Sequence, residues 1–186
     1  IRSSVADAIR LIALTGARRG EAAGLKWQYV DLRQGRIVLP PSTHKTGRKT
    51  SKPRIISLPS AAQEIISRQP AGGPDDRVFR SSTGNGDINL SKPWRSVRKE
   101  ANLPEGVGLH GLRHSLASHL AMGGAQAAEI MSALGHRQLS TTQRYIHWAD
   151  GARATLAERA AGPALAGMSA ATGDDEADVV LLDRSK

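Results

Sequence analysis

The sequence predicts a mainly helical fold that carries one small antiparallel β-sheet. Three observations predict it. Apolar residues recur at helical spacing through most of the chain, only two short runs read as strands, and one polar loop joins those two runs like the tip of a hairpin.

The first helix is expected over residues 2–15, with Val5, Ile9, Ile12 and Ala13 in helical phase and a stop at Thr15-Gly16. Ile1 already lies inside that pattern, so the natural chain is expected to continue upstream. A second helix opens near Arg18 and runs to about Lys26, with Ala22, Ala23 and Leu25 on its inner side. Arg18, Arg19 and Glu21 occupy its first turn, where exposed N–H groups favour anions rather than cations. Two arginines there make sense if a phosphate lies in front of them. Glu21 then grips one side of the Arg18 guanidinium and leaves the other for a ligand. An exposed Arg–Glu surface pair accounts for the same residues equally well.

Gly35–Leu39 and Arg54–Leu58 read as the two strands. Between them lies PPSTHKTGRKTSKP, with Lys45, Arg48, Lys49 and Lys52. This loop fits either a solvated turn or an insertion into a DNA groove, with a lysine near its base within reach of a reacting phosphate. Pro59 starts a helix to about Arg68, with Ala61, Ala62, Ile65 and Ile66 as its apolar face. Residues 70–91 read as loop around a short buried Val78-Phe79, and Trp94 to Ala101 as helix. Four helices follow, at about 111–122, 125–134, 140–147 and 151–160, punctuated by Gly123-Gly124 and Gly135, with Ser140 as an N-cap. Two domains are expected: a folded body over 1–161 and a flexible acidic tail over 162–186. The tail's Val179-Val180-Leu181-Leu182 run suits docking.

The formal charge of the 186-residue chain is +9, and it is uneven. Five acids against two bases lie beyond Ala161, so residues 1–161 carry 24 bases against 12 acids. A body this basic attracts polyanions, nucleic acid first, through phosphate neutralisation and counterion release. With six aromatic residues, Trp 3, Tyr 2 and Phe 1, stacking platforms for single strands are not expected. No apolar run is long enough to span a bilayer and no signal peptide is visible, so no membrane partner is expected. Cysteine is absent, which removes disulfides and thiolate chemistry and fits a cytoplasmic location.

Chemistry concentrates in His110–His147. On a helix His110, Arg113 and His114 stand at i, i+3 and i+4, on one face. Two imidazoles beside a guanidinium stabilise one another poorly and meet an anion well. His110 and His114 would make half a zinc site. However, no glutamate lies between them, no cysteine exists, and the third ligand would have to be His119 or a distant residue, so no metal is expected. There is neither a Gly-x-Ser-x-Gly elbow nor a glycine-rich nucleotide loop, and no nucleotide cofactor is expected. Tyr145 lies among Arg144, His147 and the Leu134-Gly135-His136 turn, a polar setting that argues against a core role. A phenol, imidazoles and arginines together are the parts needed for attack on a phosphodiester.

In this order and spacing the pieces resemble one family, the tyrosine recombinases or phage-type integrases, over about residues 1–160. Thr15-Gly16-Ala17-Arg18-Arg19-Gly20-Glu21 is similar to the box of the first catalytic arginine, and Thr43-His44-Lys45-Thr46 to the hairpin lysine. His110-Gly111-Leu112-Arg113-His114 resembles the His-x-Leu-Arg-His box, and Leu134-Gly135-His136 with the Tyr145 helix completes the set. The resemblance implies the family's catalytic-domain fold without its amino-terminal DNA-clamping domain. It implies a recombinase that cuts and rejoins double-stranded DNA through a 3′-phosphotyrosyl bond, in integration or excision of a phage or mobile element. A chromosome-dimer resolving or integron-type enzyme, or a non-cleaving DNA-binding module, are the alternatives.

Catalytic roles are implied for Arg18, Lys45, His110, Arg113, His136 and Tyr145. His110 would take the tyrosine proton and Lys45, or else Lys49 or Lys52, would protonate the leaving oxygen. Glu21 and His114 would support these groups, and Arg19, Arg48, Lys49, Lys52, Arg137 and Arg144 would contact DNA. The resemblance further implies a homotetramer on DNA through the carboxy-terminal segment, and no cofactor or metal.

Overall fold

A computed structural model describes residues 3–44, 51–81, 86–135 and 139–171. Lys45, Arg48, Lys49, His136, Arg137 and the Val179–Leu182 run lie outside the described residues. The chain divides into two compact units, Ile1–Ala149 and Asp150–Lys186.

In the first unit, helix α1 (Ser3–Thr15) buries Ala8, Ile9, Leu11 and Ile12, the face its periodicity marks. It packs on α2 (Arg19–Ala23), α3 (Ser60–Ser67) and α5 (His110–Met122). Buried Asp7 ties α1 to the end of α3, accepting hydrogen bonds from Arg68 Nε at 3.1 Å and Gln69 Nε2 at 2.8 Å. The stop at Gly16 has two causes. Its φ of +65° suits glycine, and a Cβ there would sit 2.4 Å from Leu134 Cδ2 of α6 (Ala127–Leu134). The end of α1 is thereby pressed against the end of α6.

The sheet is antiparallel in the order β1 (Val30–Asp31), β2 (Arg36–Leu39), β3 (Arg54–Ser57), with Ile37 opposite Ile56 and Leu39 opposite Arg54. β1 was not foreseen: two residues are too few to show an alternation. In β3 the side chains alternate in an unusual sense, with Arg54 and Ile56 buried and Ile55 52% exposed. The inward arginine in this strand is what connects the sheet to the site.

Helix α4 (Ser91–Glu100) starts three residues before the expected Trp94, whose indole donates to Val107 O at 2.9 Å. α2 ends at Ala23, short of the expected Lys26, with Gly24 as its C-cap. A second, smaller cluster joins α5, α6 and the start of α7 (Leu139–Ala171), built on Ala117, Ala121, Ile130, Leu134 and Ala149, with Tyr145 packed at its margin. The two helices expected at 140–147 and 151–160 are one. α7 continues through Gly151, Gly162 and Pro163 to Ala171, so the segment beyond Gly162-Pro163 begins as helix rather than as linker. Isolated glycines cost about 1 kcal/mol each in a helix, which the alanine-rich surroundings offset. Among the described residues no helix is long and apolar enough to cross a membrane.

Candidate active site

The site assembles on the carbonyl end of α6. The last carbonyls of any helix lack intrahelical partners and carry the negative end of its dipole. Here guanidinium groups from three other segments meet them. Arg113 of α5 donates through Nη2 to Leu134 O and through Nη1 to Gly16 O. Arg54 of β3 donates through Nη1 to Leu134 O, and Arg18 Nη2 lies 3.5 Å from Gly135 O. Gly135 makes this convergence possible. It holds φ +60°, and a Cβ on it would fall 1.9 Å from Arg54 Nη1.

Glu21 is the buried counter-ion. Its Oε1 lies 2.8 Å from Arg18 Nη1 and 3.2 Å from Arg54 Nε, while Oε2 accepts from Arg18 N at 2.7 Å. Burial pushes its carboxyl up, but Arg54 and Arg18 outweigh burial and hold it below the usual carboxylate range. One carboxylate balances one of three cations. The excess positive charge shows in the arginines themselves. Burial, then Arg54 and Arg18, pull Arg113 down to about 10. Burial also lowers Arg54, Glu21 restoring part of the shift and Arg18 adding to it. Arg54 is 6% exposed, and its Nη2 has no hydrogen-bond partner among the described residues. Three guanidiniums gathered around one carboxylate suit an anion.

The imidazoles and the phenol lie on the outer side of α5. His110 and His114 meet edge to face with ring centroids 4.5 Å apart. Burial, then His114, Arg113 and Arg18, keep His110 below the ordinary imidazole value. Tyr145 Oη is in hydrogen-bond contact with His114 Nδ1, the rings 5.9 Å apart between centroids. Burial raises the phenol above its usual range, Arg144 and Arg113 opposing that rise. At neutral pH Tyr145 therefore carries its proton.

Of the residues singled out in the sequence, Arg18, Glu21, His110, Arg113, His114 and Tyr145 are brought together. Arg19 is placed beside them, donating to Ser91 Oγ at 3.0 Å on the wall of a cavity of about 550 Å³ that also reaches His110. Lys52 and Arg144 are exposed. Two residues of the site were missed. Arg54 shares the phase of Ile56 and Leu58, both buried, which was the available signal that it points inward. His44, 6% exposed, is lowered by burial, Glu21 opposing and Arg54 and Arg18 reinforcing the shift. Its place beside Lys45 was the signal. Among the described residues no cluster of His, Asp and Glu fits a metal ion.

The model of the phage integrase family matches residues 2–151. The chain belongs to the phage integrase family, the tyrosine recombinases. Among curated members it is 34% identical over 149 residues to tyrosine recombinase XerD of Corynebacterium glutamicum, covering 75% of this chain and 46% of that one. To XerC of Halalkalibacterium halodurans it is 34% identical over 150 residues, covering 73% and 47%. The chain thus spans about half the length of the curated recombinases it matches. Solved recombinases share its fold. XerH bound to a palindromic difH substrate in a post-cleavage complex gives a TM-score of 0.66 at 23% identity, covering 84% of this chain and 45% of that one. The catalytic domain of bacteriophage HP1 integrase gives 0.56 at 24%, covering 78% and 82%. In recombinase terms, the mainly helical body with its small antiparallel sheet is the catalytic-domain fold expected from the sequence.

Proposed function

We propose that this chain is the catalytic part of a site-specific recombinase that cleaves and rejoins double-stranded DNA. The observation that carries the reading is the convergence of Arg18, Arg54 and Arg113 on the end of α6, next to a phenol presented by α7. Arg18 and Arg113 hold the two non-bridging oxygens of the scissile phosphate, where negative charge grows as phosphorus becomes pentacoordinate. Tyr145 Oη attacks phosphorus, and the 3′-phosphotyrosyl bond forms as the bond to the 5′ oxygen breaks. Lys45 protonates that oxygen and His136 adds a hydrogen bond to the phosphate, both roles resting on the family resemblance. The phosphotyrosyl bond conserves the energy of the phosphodiester, so a partner strand's 5′-hydroxyl reseals the DNA without ATP. Arg19, Lys52 and Arg144 reach the flanking backbone, joined by Arg48, Lys49 and Arg137.

Insertion or excision of a phage or mobile element is the use we favour. A Xer-type recombinase is the second reading, supported by the names of the curated relatives. Either acts on DNA in the cytoplasm.

A pool of nicked suicide duplexes with randomised cores tests the reading, because the freed 5′ fragment diffuses away and traps the covalent complex. The chain should be captured and Tyr145→Phe should not. Equal capture of both proteins contradicts Tyr145 as the nucleophile, and capture of neither leaves a non-cleaving DNA-binding module.

We also propose that residues 162–186 join neighbouring protomers in a tetramer on DNA. Deleting residues 163–186 should weaken self-association and alter DNA affinity. Both measured unchanged would remove that role.

A further inference from the structure

We propose that His114 is the general base that takes the proton from Tyr145, and that His110 orients His114 instead of serving the phenol itself. This rests on the recombinase reading above. Any attack by Tyr145 must release its phenolic proton, and the residue placed to receive it is identified by contact. With its proton on Nε2, His114 presents Nδ1 to Tyr145 Oη as an acceptor, and the two atoms are in hydrogen-bond contact. His110 and His114 are successive residues of one α5 face, and their rings meet edge to face at 4.5 Å. The edge of one imidazole against the other fixes the ring plane and leaves Nδ1 of His114 on the side facing α7.

The step balances without an external reagent. The Oη–H bond breaks and the proton passes to His114 Nδ1. The Oη–P bond forms, and the bond from phosphorus to the 5′ oxygen breaks with its electron pair leaving on oxygen. In the rejoining step the 5′-hydroxyl attacks, Tyr145 Oη departs, and the His114 imidazolium returns the proton. One residue thus serves as base in cleavage and acid in ligation. The groups that face His114 are His110, on its own helix α5, and Tyr145 of α7. Burial, then the neighbouring His114, Arg113 and Arg18, holds His110 below the ordinary imidazole value.

The test uses the full chain, the duplex recovered from the suicide pool, and a copy of that duplex with sulfur in place of the bridging 5′ oxygen. A thiolate leaves without a proton, so sulfur rescues loss of the group that protonates the leaving atom and does not rescue loss of the base. His114→Gln should slow capture about 10²–10⁴-fold on both duplexes. It should also abolish the rise of wild-type rate with pH through the imidazole range. His110→Gln should slow capture less and keep that rise. Without DNA, the NMR titration midpoint of His114 should move in Tyr145→Phe, which reports the contact independently of activity.

A His114→Gln protein that captures at the wild-type rate, or whose defect sulfur cures, overturns the assignment while Tyr145→Phe remains inactive. An unmoved His114 midpoint in Tyr145→Phe overturns the contact. A wild-type chain that captures no duplex overturns the recombinase reading, and this inference with it.

Discussion

Arg113→Met should slow covalent capture of nicked duplex at least about a hundredfold, the loss typical of one donor to a developing oxyanion. The same change should move the melting temperature by only a few degrees. Two effects oppose each other in the free protein. Methionine leaves Gly16 O without its Arg113 donor, about 1–3 kcal/mol for a carbonyl left unsatisfied, while Leu134 O keeps its bond from Arg54. Against this, the charged form of Arg113 is destabilised in the fold. A base depressed from the ordinary guanidinium value to about 10 loses a few kcal/mol of folding stability at neutral pH, at about 1.4 kcal/mol per pK unit. That penalty fades as pH rises from about 10 towards the ordinary guanidinium value of the unfolded chain, and methionine removes it at once. Capture kinetics and a thermal melt on the same preparation check both halves. A large fall in melting temperature with a matching fall in capture would make Arg113 a structural residue. The opposite pattern, lost rate with kept stability, marks a residue held for its ligand.

Gly135→Ala should destabilise the chain by at least about 2 kcal/mol and also cut capture. Strain from a left-handed backbone is of order 1–3 kcal/mol for a non-glycine residue. At Gly135 the methyl group would also meet Arg54 Nη1 at 1.9 Å, too close to coexist. The guanidinium must leave Leu134 O, and with it goes its ion pair to Glu21. Released from Arg54, Glu21 no longer holds Arg18 in the same place. Gly124 is the control. Its φ of +91° imposes backbone strain, but nothing lies within 4 Å of its Cβ position. Gly124→Ala should therefore lose some stability and keep its rate once folded. Equal defects in urea unfolding and in capture for the two variants would show that the Arg54 contact contributes nothing.

Much of this site was legible because its parts are local. The first arginine sits beside a glycine stop and three residues before its glutamate. His110, Arg113 and His114 declare one helix face by spacing alone, and the polar setting of Tyr145 sets it apart from a core tyrosine. What was not legible depends on tertiary placement. Arg54 opens a strand, a position that normally marks the solvent boundary, and only the inward phase of Ile56 and Leu58 hinted otherwise. That α6 would end on three guanidiniums follows from the approach of Gly16 to Leu134, which no local pattern records. The contact of His114 with the phenol needs α7 in place. The helix boundaries failed where propensity was trusted. A gap at 148–150 and an end to the folded body before Gly162-Pro163 were expected, yet α7 passes through both.

As proposed above, a phenol from α7 is the nucleophile against a phosphate held by arginines from α5 and from the turn before α2. The most direct measurement is mass spectrometry of the peptide left attached to DNA after suicide capture and proteolysis. The chain has two tyrosines. The account predicts a nucleotide remnant on the peptide containing Tyr145. A remnant on the peptide containing Tyr29, which packs against the main core just before β1 in the chain, would contradict it.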